Sequence, residues 1–84
     1  MESQDETARI SAELKQKAEE LRVILNEIEI YVSQQHEHAS ATGDTDEMQR
    51  LQDADPYRWL TDAQQSMRIG FMFAHRAISQ PTHF

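Results

Sequence analysis

The sequence contains no cysteine, which excludes a disulfide, a thiolate metal site and a cysteine nucleophile. Glycine and proline are scarce, with two of each, and neither occurs before Gly43. Apolar runs are far shorter than the roughly 18 residues needed to cross a membrane. The opening stretch, MESQDETARI, is acidic and polar, unlike a signal peptide. We therefore expect an intracellular protein with no membrane segment.

Acidic residues are missing from the carboxy-terminal segment. The net charge of −7 argues against general DNA or RNA binding. All fifteen acids lie at or before Asp62, whereas two arginines and no acid follow it in the most apolar part of the chain. This combination suits a small, compact anion with flat apolar parts. A buried helix that simply excludes carboxylates would have the same composition.

The chain length indicates a single domain, residues 1–84. A domain this small is marginally stable alone, so an all-α fold that oligomerises is expected. Apolar residues recur at spacings of three and four from about Glu6 to His38, which predicts one long helix. They form two heptad rows, positions 14, 21 and 28 and positions 10, 17, 24 and 31. A helix of about 30 residues would be about 45 Å long, so a packed partner is expected along it.

A break in the helical pattern follows. Residues 39–46, ASATGDTD, have the composition of a turn. Gly43 can end the first helix, and Asp44 or Thr45 can cap the next one. The stretch DEMQRLQ then predicts a short connecting helix.

The last helix is predicted from Pro56 to Ser79, with Asp55 as its N-cap and Pro81 closing it. Gly70 within it predicts a close approach by another helix, in the same chain or in a second chain. Its predicted inner stripe comprises Leu60, Ala63, Met67, Gly70, Phe71, Ala74, Ala77 and Ile78. The predicted fold is an all-α antiparallel helical hairpin with a short connecting helix, assembling into a symmetric oligomer.

Polar residues form a second face on the last helix. The members of this face are Arg68, Met72, His75, Arg76 and Ser79, spaced by three and four residues. Two guanidinium groups beside an imidazole can bind phosphate or stack on a base. The structural alternative is salt bridging to glutamates of the first helix, namely Glu20, Glu27 or Glu29.

Two further groups are candidates for ligand binding. Arg58 adjoins Trp59 and Tyr57, and an arginine with aromatic rings can hold a purine. Alternatively, Trp59 packs as a staple at the helix start. Lys17 interrupts the second heptad row and can meet a phosphate in a pocket between protomers. Alternatively, it extends into solvent or fixes the register.

Sequence motifs for catalysis are absent. There is no carboxylate pair, Ser-His-Asp set, HExxH or glycine-rich phosphate loop. His36 and His38 lie on opposite sides of any helix and are a poor metal pair. We expect no catalytic residue, no metal and no cofactor.

The stretch from Asp55 to Pro81 resembles the hairpin domain of phage-encoded cyclic-nucleotide sponges. Such sponges inhibit cyclic-oligonucleotide-based antiphage signalling (anti-CBASS), and related domains occur in anti-Thoeris sponges. The resemblance covers about a third of the chain, and the first helix matches in type. The matching residues are Arg58-Trp59-Leu60, Ala63, Gly70-Phe71-Met72, Arg76-Ala77-Ile78 and Pro81. With no amino-terminal β-domain expected, the short anti-CBASS form fits better.

The resemblance implies a compact helical hexamer that binds cyclic dinucleotides between protomers and sequesters them intact. Some members also hold cyclic trinucleotides at separate sites. Family binding uses a tyrosine and a lysine near the first helix and an arginine, for which Lys17 and Arg58 are the counterparts. Both tyrosines of this chain, Tyr31 and Tyr57, follow Lys17.

The leading hypothesis is therefore a phage anti-defence protein acting in the cytoplasm of the infected host. It would use Lys17, Arg58, Arg68 and Arg76 for phosphates, and Trp59 and Tyr57 for bases. The alternative is a helical interaction module that docks on a host protein through its apolar last helix. A nucleotide-degrading enzyme is a third hypothesis, which the missing catalytic motifs disfavour.

Overall fold

A computed structural model describes residues 2–82, with side chains for residues 5–82. Three helices follow in chain order, α1 (Glu2–Thr42), α2 (Thr45–Ala54) and α3 (Pro56–Ser79), and residues 2–82 contain no strand. The prediction of an all-α, hairpin-like chain is confirmed. None of the three helices is both long enough and apolar enough to cross a lipid bilayer.

Helix α1 is longer than predicted at both ends. It starts at Glu2 rather than near Glu6, and it continues to Thr42 rather than ending near His38. Residues 39–42 have the composition of a turn but form the last turn of α1. There the Thr42 hydroxyl donates a hydrogen bond to the His38 carbonyl at 2.8 Å. That local bond is compatible with the last turn of a helix.

Gly43 ends α1, as predicted. Its φ of 67° is in the left-handed region, where glycine is favoured. The amide of Gly43 donates to the Ser40 carbonyl, and the amide of Asp44 donates to the Ala39 carbonyl, which is a Schellman pair. Asp44 then caps α2, because its carboxylate accepts from the Glu47 amide at 3.0 Å.

Helix α3 begins at Pro56 and ends at Ser79, as predicted. Asp55 is the N-cap residue of α3, as predicted, although its side chain makes no capping hydrogen bond. Asp55 is also the C-cap of α2, and its amide donates to the Leu51 carbonyl at 2.9 Å. It therefore adopts a left-handed conformation, with φ 48° and ψ 57°.

Helices α1 and α3 pack antiparallel. Tyr57, at the start of α3, bonds to Ser33 of α1. Phe71, farther along α3, shares a hollow with Ala18. The described part measures 63 × 23 × 13 Å, so α1 spans its full length and the hairpin is one helix thick. The buried hydrophobic side chains within residues 5–82 are Val32, Ala39, Leu51 and Leu60.

The predicted inner stripe of α3 is largely correct. Buried or half-buried positions are Leu60, Ala63, Met67, Phe71, Ala74 and Ile78. Gly70 and Ala77 are exposed, so their assignment to this stripe is wrong. A β-carbon at Gly70 would have nothing within 4 Å, so none of the helices described approaches there. Of the two alternatives predicted for Gly70, approach within the chain is therefore wrong, and approach by a second chain stays a prediction.

On α1, one apolar stripe packs and another is exposed. The packed stripe is Leu14, Ala18, Leu21, Leu25, Val32 and Ala39. The predicted row of positions 10, 17, 24 and 31 is exposed, with Ile24 at 50% and Tyr31 at 61%. Ile28, predicted on the other row, is 41% exposed. The described chain offers α1 only one long packing partner, so a second apolar row has nothing to cover it.

Candidate functional site

A groove of about 990 Å³ runs between α1 and α3. Half-buried Leu21, Leu25, Met67 and Phe71 form its apolar floor. All five residues of the predicted polar face on α3 line it: Arg68, Met72, His75, Arg76 and Ser79. The groove thus places the two guanidinium groups and the imidazole of this face beside apolar and aromatic side chains.

Arg68 is the groove cation with an uncommitted side chain. It forms no hydrogen bond or ion pair with residues 5–82, so the alternative interpretation, a salt bridge from Arg68 to a glutamate of α1, is wrong for this part of the chain. Glu29 lies in the groove lining and partly offsets its positive charge. A guanidinium at the edge of an apolar groove can donate two parallel hydrogen bonds to a phosphate.

Arg22 also lines the groove, but its guanidinium forms an ion pair with Glu19. Its Nε donates to Glu19 Oε2 at 3.1 Å, and its Nη2 bonds to the other carboxylate oxygen. These hydrogen bonds lower the pKa of the Glu19 carboxyl and raise the pKa of Arg22. Because both side chains are exposed, this is a surface ion pair of small stabilising effect.

Lys17 is not among the residues that line the groove. Its Nζ lies 3.3 Å from Glu20 Oε2, and both side chains are exposed. Within one chain it is therefore a surface ion pair three residues apart on a helix. Its role toward a phosphate stays a prediction.

Arg58 and Trp59 pair with each other at the start of α3. The guanidinium carbon of Arg58 lies 5.6 Å from the centroid of the Trp59 ring, within cation–π range. Trp59 is 63% exposed, and neither side chain lines the groove. The contact of Tyr57 with Ser33 places the neighbouring Arg58 near the level of Ser33 on α1. Ser33 is 16 residues from Lys17, so the backbone positions of Lys17 and Arg58 are about 24 Å apart along α1.

Tyr57 takes part in an interhelical contact that the sequence did not predict. Its hydroxyl is 2.8 Å from Ser33 Oγ, and its ring stacks on His36 with centroids 5.2 Å apart. His36 Nδ1 lies 2.9 Å from the Val32 carbonyl, so Nδ1 must carry the proton. The spacing of Ser33 and His36 on one helix face was the available signal. A role of Tyr57 in binding bases stays a prediction.

The candidate residues thus separate into three locations on one chain: the groove, the start of α3 with Arg58 and Trp59, and Lys17 on α1. Arg68 and Arg76 line the groove, whereas Lys17, Arg58 and Trp59 lie outside it. Among the side chains of residues 5–82, no three His, Asp or Glu residues cluster in a way that could hold a metal ion. Comparison with protein-family models, curated proteins and solved structures finds no match to this chain.

Proposed function

We propose that this protein is a phage anti-defence protein that binds cyclic oligonucleotide second messengers and sequesters them in the cytoplasm of the infected bacterial host. Cyclic dinucleotides are the primary ligands, and cyclic trinucleotides are a second class to be tested. The observation that carries the proposal is the groove, in which Arg68 and Arg76 lie beside Phe71 and Met72. The resemblance of residues 55–81 to cyclic-nucleotide sponges supports the same ligand class.

The chemistry of the groove suits such a ligand. Guanidinium groups bind phosphodiester oxygens through charge-assisted hydrogen bonds, and they remain protonated at every physiological pH. The bases can lie on apolar and aromatic side chains such as Phe71 and Met72. The proposed action is stoichiometric capture, so the ring leaves the protein intact.

We further propose that complete sites form between subunits of a homo-oligomer, and the sponge resemblance favours a hexamer. The backbone positions of Lys17 and Arg58 are about 24 Å apart along α1. A compact site that uses both side chains would therefore take them from two protomers. The exposure of Trp59 at 63% and Phe73 at 66% leaves large apolar area for subunit contacts.

A capture experiment tests the proposal. The protein is incubated with a panel of cyclic di- and trinucleotides, separated from free ligand by size and then denatured by heat. We expect at least one intact cyclic nucleotide in the supernatant. Recovery of a linear or hydrolysed product would instead indicate an enzyme, and recovery of no nucleotide would refute the proposal.

Arginine variants provide the matched comparison. Arg68→Ala removes a groove cation, whereas Arg50→Ala removes an equally charged residue that pairs with Glu47 on α2. We expect Arg68→Ala to capture less nucleotide and Arg50→Ala to capture as much as the parent. Equal loss in both variants would indicate nonspecific attraction of anions rather than a site.

A second candidate function is favoured by the exposed apolar side chains of α3. Ile69, Met72 and Phe73 are 48%, 62% and 66% exposed, so α3 can dock on a host protein. Such a module would be a monomer or dimer with no affinity for cyclic nucleotides, whereas a sponge would be a closed symmetric assembly. Mass measurement by light scattering, together with the capture experiment, separates the two functions.

A further inference from the structure

The amino-terminal part of α1 extends beyond the end of α3. Phe71 and His75 lie level with residues 11–18 of α1, and α3 ends only one turn after His75. Residues 2–10, here called the arm, therefore have no helix of their own chain beside them. Every described side chain from residue 5 to residue 10 is exposed.

A helical segment without packing is marginal in water, because most helix stability in proteins comes from a packed face. The arm carries three acids, Glu2, Asp5 and Glu6, against one arginine, Arg9. Ile10 is its one large apolar side chain and is 37% exposed. A surface that stabilises the arm would therefore offer cationic side chains to its carboxylates and apolar side chains to Ile10.

The groove between α1 and α3 has that chemistry. Arg68 has no ion pair with residues 5–82, and His75 and Arg76 lie about two turns farther along the same edge. The furrow between two packed helices is also where a third helix packs in a bundle. Few other surfaces suit an acidic helix, because the whole chain has a net charge of −7.

The arm cannot reach the groove of its own chain. It is continuous with α1, and no glycine or proline before Gly43 could turn it back. We propose that the arm docks in the groove of a second copy of this chain. Each copy carries one arm and one groove, so the contact is either reciprocal in a two-fold dimer or repeated around a ring.

The docked arm regulates access to the groove. Its carboxylates and a phosphate ligand are attracted to the same guanidinium, that of Arg68, so one excludes the other. This competition rests on the proposed function, whereas docking of the arm does not. A cyclic nucleotide is then expected to displace the arm as it binds.

Disulfide trapping tests the docking directly, because the chain has no native cysteine. The test variants are Glu6→Cys/Gln64→Cys and Glu6→Cys/Met72→Cys, which join the arm to two points of the groove. Within one chain Glu6 is about 18 Å from the level of Met72 and farther from Gln64, beyond the reach of a disulfide. The control is Glu6→Cys/Asp62→Cys, because Asp62 is exposed and does not line the groove.

Under mild oxidation, we expect at least one test variant to form covalent dimer several-fold faster than the control. We also expect 0.5 M NaCl to slow this dimer formation, because charges are then screened over roughly a five-fold shorter distance than in dilute buffer. Equal rates in test and control variants, or rates that salt leaves unchanged, would overturn the docking. Added cyclic dinucleotide should slow trapping in the same variant. If trapping is fast but indifferent to nucleotide, the docking stands and the proposed competition fails.

Discussion

The hydroxyl of Tyr57 lies 2.8 Å from that of Ser33, joining the start of α3 to the middle of α1. The Tyr57 ring also stacks on His36. We expect Tyr57→Phe to lower the free energy of unfolding by about 1 kcal/mol, because it removes only the hydrogen bond. Tyr57→Ala should lower the free energy of unfolding by about 1 kcal/mol more than Tyr57→Phe, because the stacking on His36 is also lost. Urea unfolding measures both, and equal stability of parent and Tyr57→Ala would contradict this contact.

Arg68 is the residue we expect to matter most for an anionic ligand in the groove. Its guanidinium has no ion pair with residues 5–82, so it is available to a phosphate. Losing a charged hydrogen bond of about 1.5 to 3 kcal/mol in Arg68→Ala should weaken binding about 10- to 150-fold. Calorimetric titration with a captured nucleotide measures the change. An unchanged Kd would remove Arg68 from the site.

A variant of Arg58 tests whether the start of α3, outside the groove, takes part in ligand binding. We expect Arg58→Ala to abolish binding of one class of cyclic nucleotide while the oligomer stays intact, because its guanidinium lies over Trp59 on an exposed surface. Titrations with cyclic di- and trinucleotides, alongside a mass measurement, provide the readout. If every titration matches the parent, Arg58 has no part in ligand binding.

Gly70 is exposed in the middle of α3, with open space where a β-carbon would be. Alanine there should raise the free energy of unfolding by about 1 kcal/mol, through helix propensity alone. Chemical unfolding at several protein concentrations measures the effect. A loss of stability that grows at higher concentration would reveal a second chain packed closely against Gly70.

Two exposed ion pairs give stability a weak dependence on pH. Hydrogen bonds from Arg50 lower the pKa of Glu47, and those from Arg22 lower the pKa of Glu19. A carboxyl whose pKa is lower in the folded state stabilises the fold above its unfolded pKa, and this contribution disappears as the pH falls through the folded value. We therefore expect the Tm to fall when the pH is lowered from neutral to below the ordinary glutamate value of 4.5.

Glutamine variants provide the control for this dependence. Glu47→Gln should show a smaller acid-induced fall in Tm, because its ion pair is already absent at neutral pH. Glu37→Gln should behave like the parent, since Glu37 is exposed and has no ion pair with residues 5–82. Thermal melting followed by circular dichroism distinguishes them. Identical curves for the parent and Glu47→Gln would contradict the assignment.

The sequence predicted α3 well because strong local signals define it. Pro56 sets its start, and a continuous apolar stripe sets its packed face. The polar face on α3 was also predictable, since helical spacing alone brings Arg68 and Arg76 to one side. These features depend on a single helix and need no knowledge of its neighbours.

The remaining features depend on how two helices meet, which spacing does not specify. A heptad pattern on α1 identified Ile24 and Tyr31 as apolar positions, but it could not show that α3 covers a different stripe. The contact of Tyr57 with His36 likewise requires the register between α1 and α3. Asp55 is the N-cap residue that was predicted, but the sequence did not show that it also ends α2 or that its side chain makes no capping hydrogen bond.

The dimensions of 63 × 23 × 13 Å make a single chain a flat rod rather than a sphere. A rod diffuses more slowly than a sphere of equal mass, so it leaves a gel-filtration column early. Elution volume compared with globular standards would therefore overstate the mass of an isolated chain. Sedimentation equilibrium, which is insensitive to shape, gives the chain count directly.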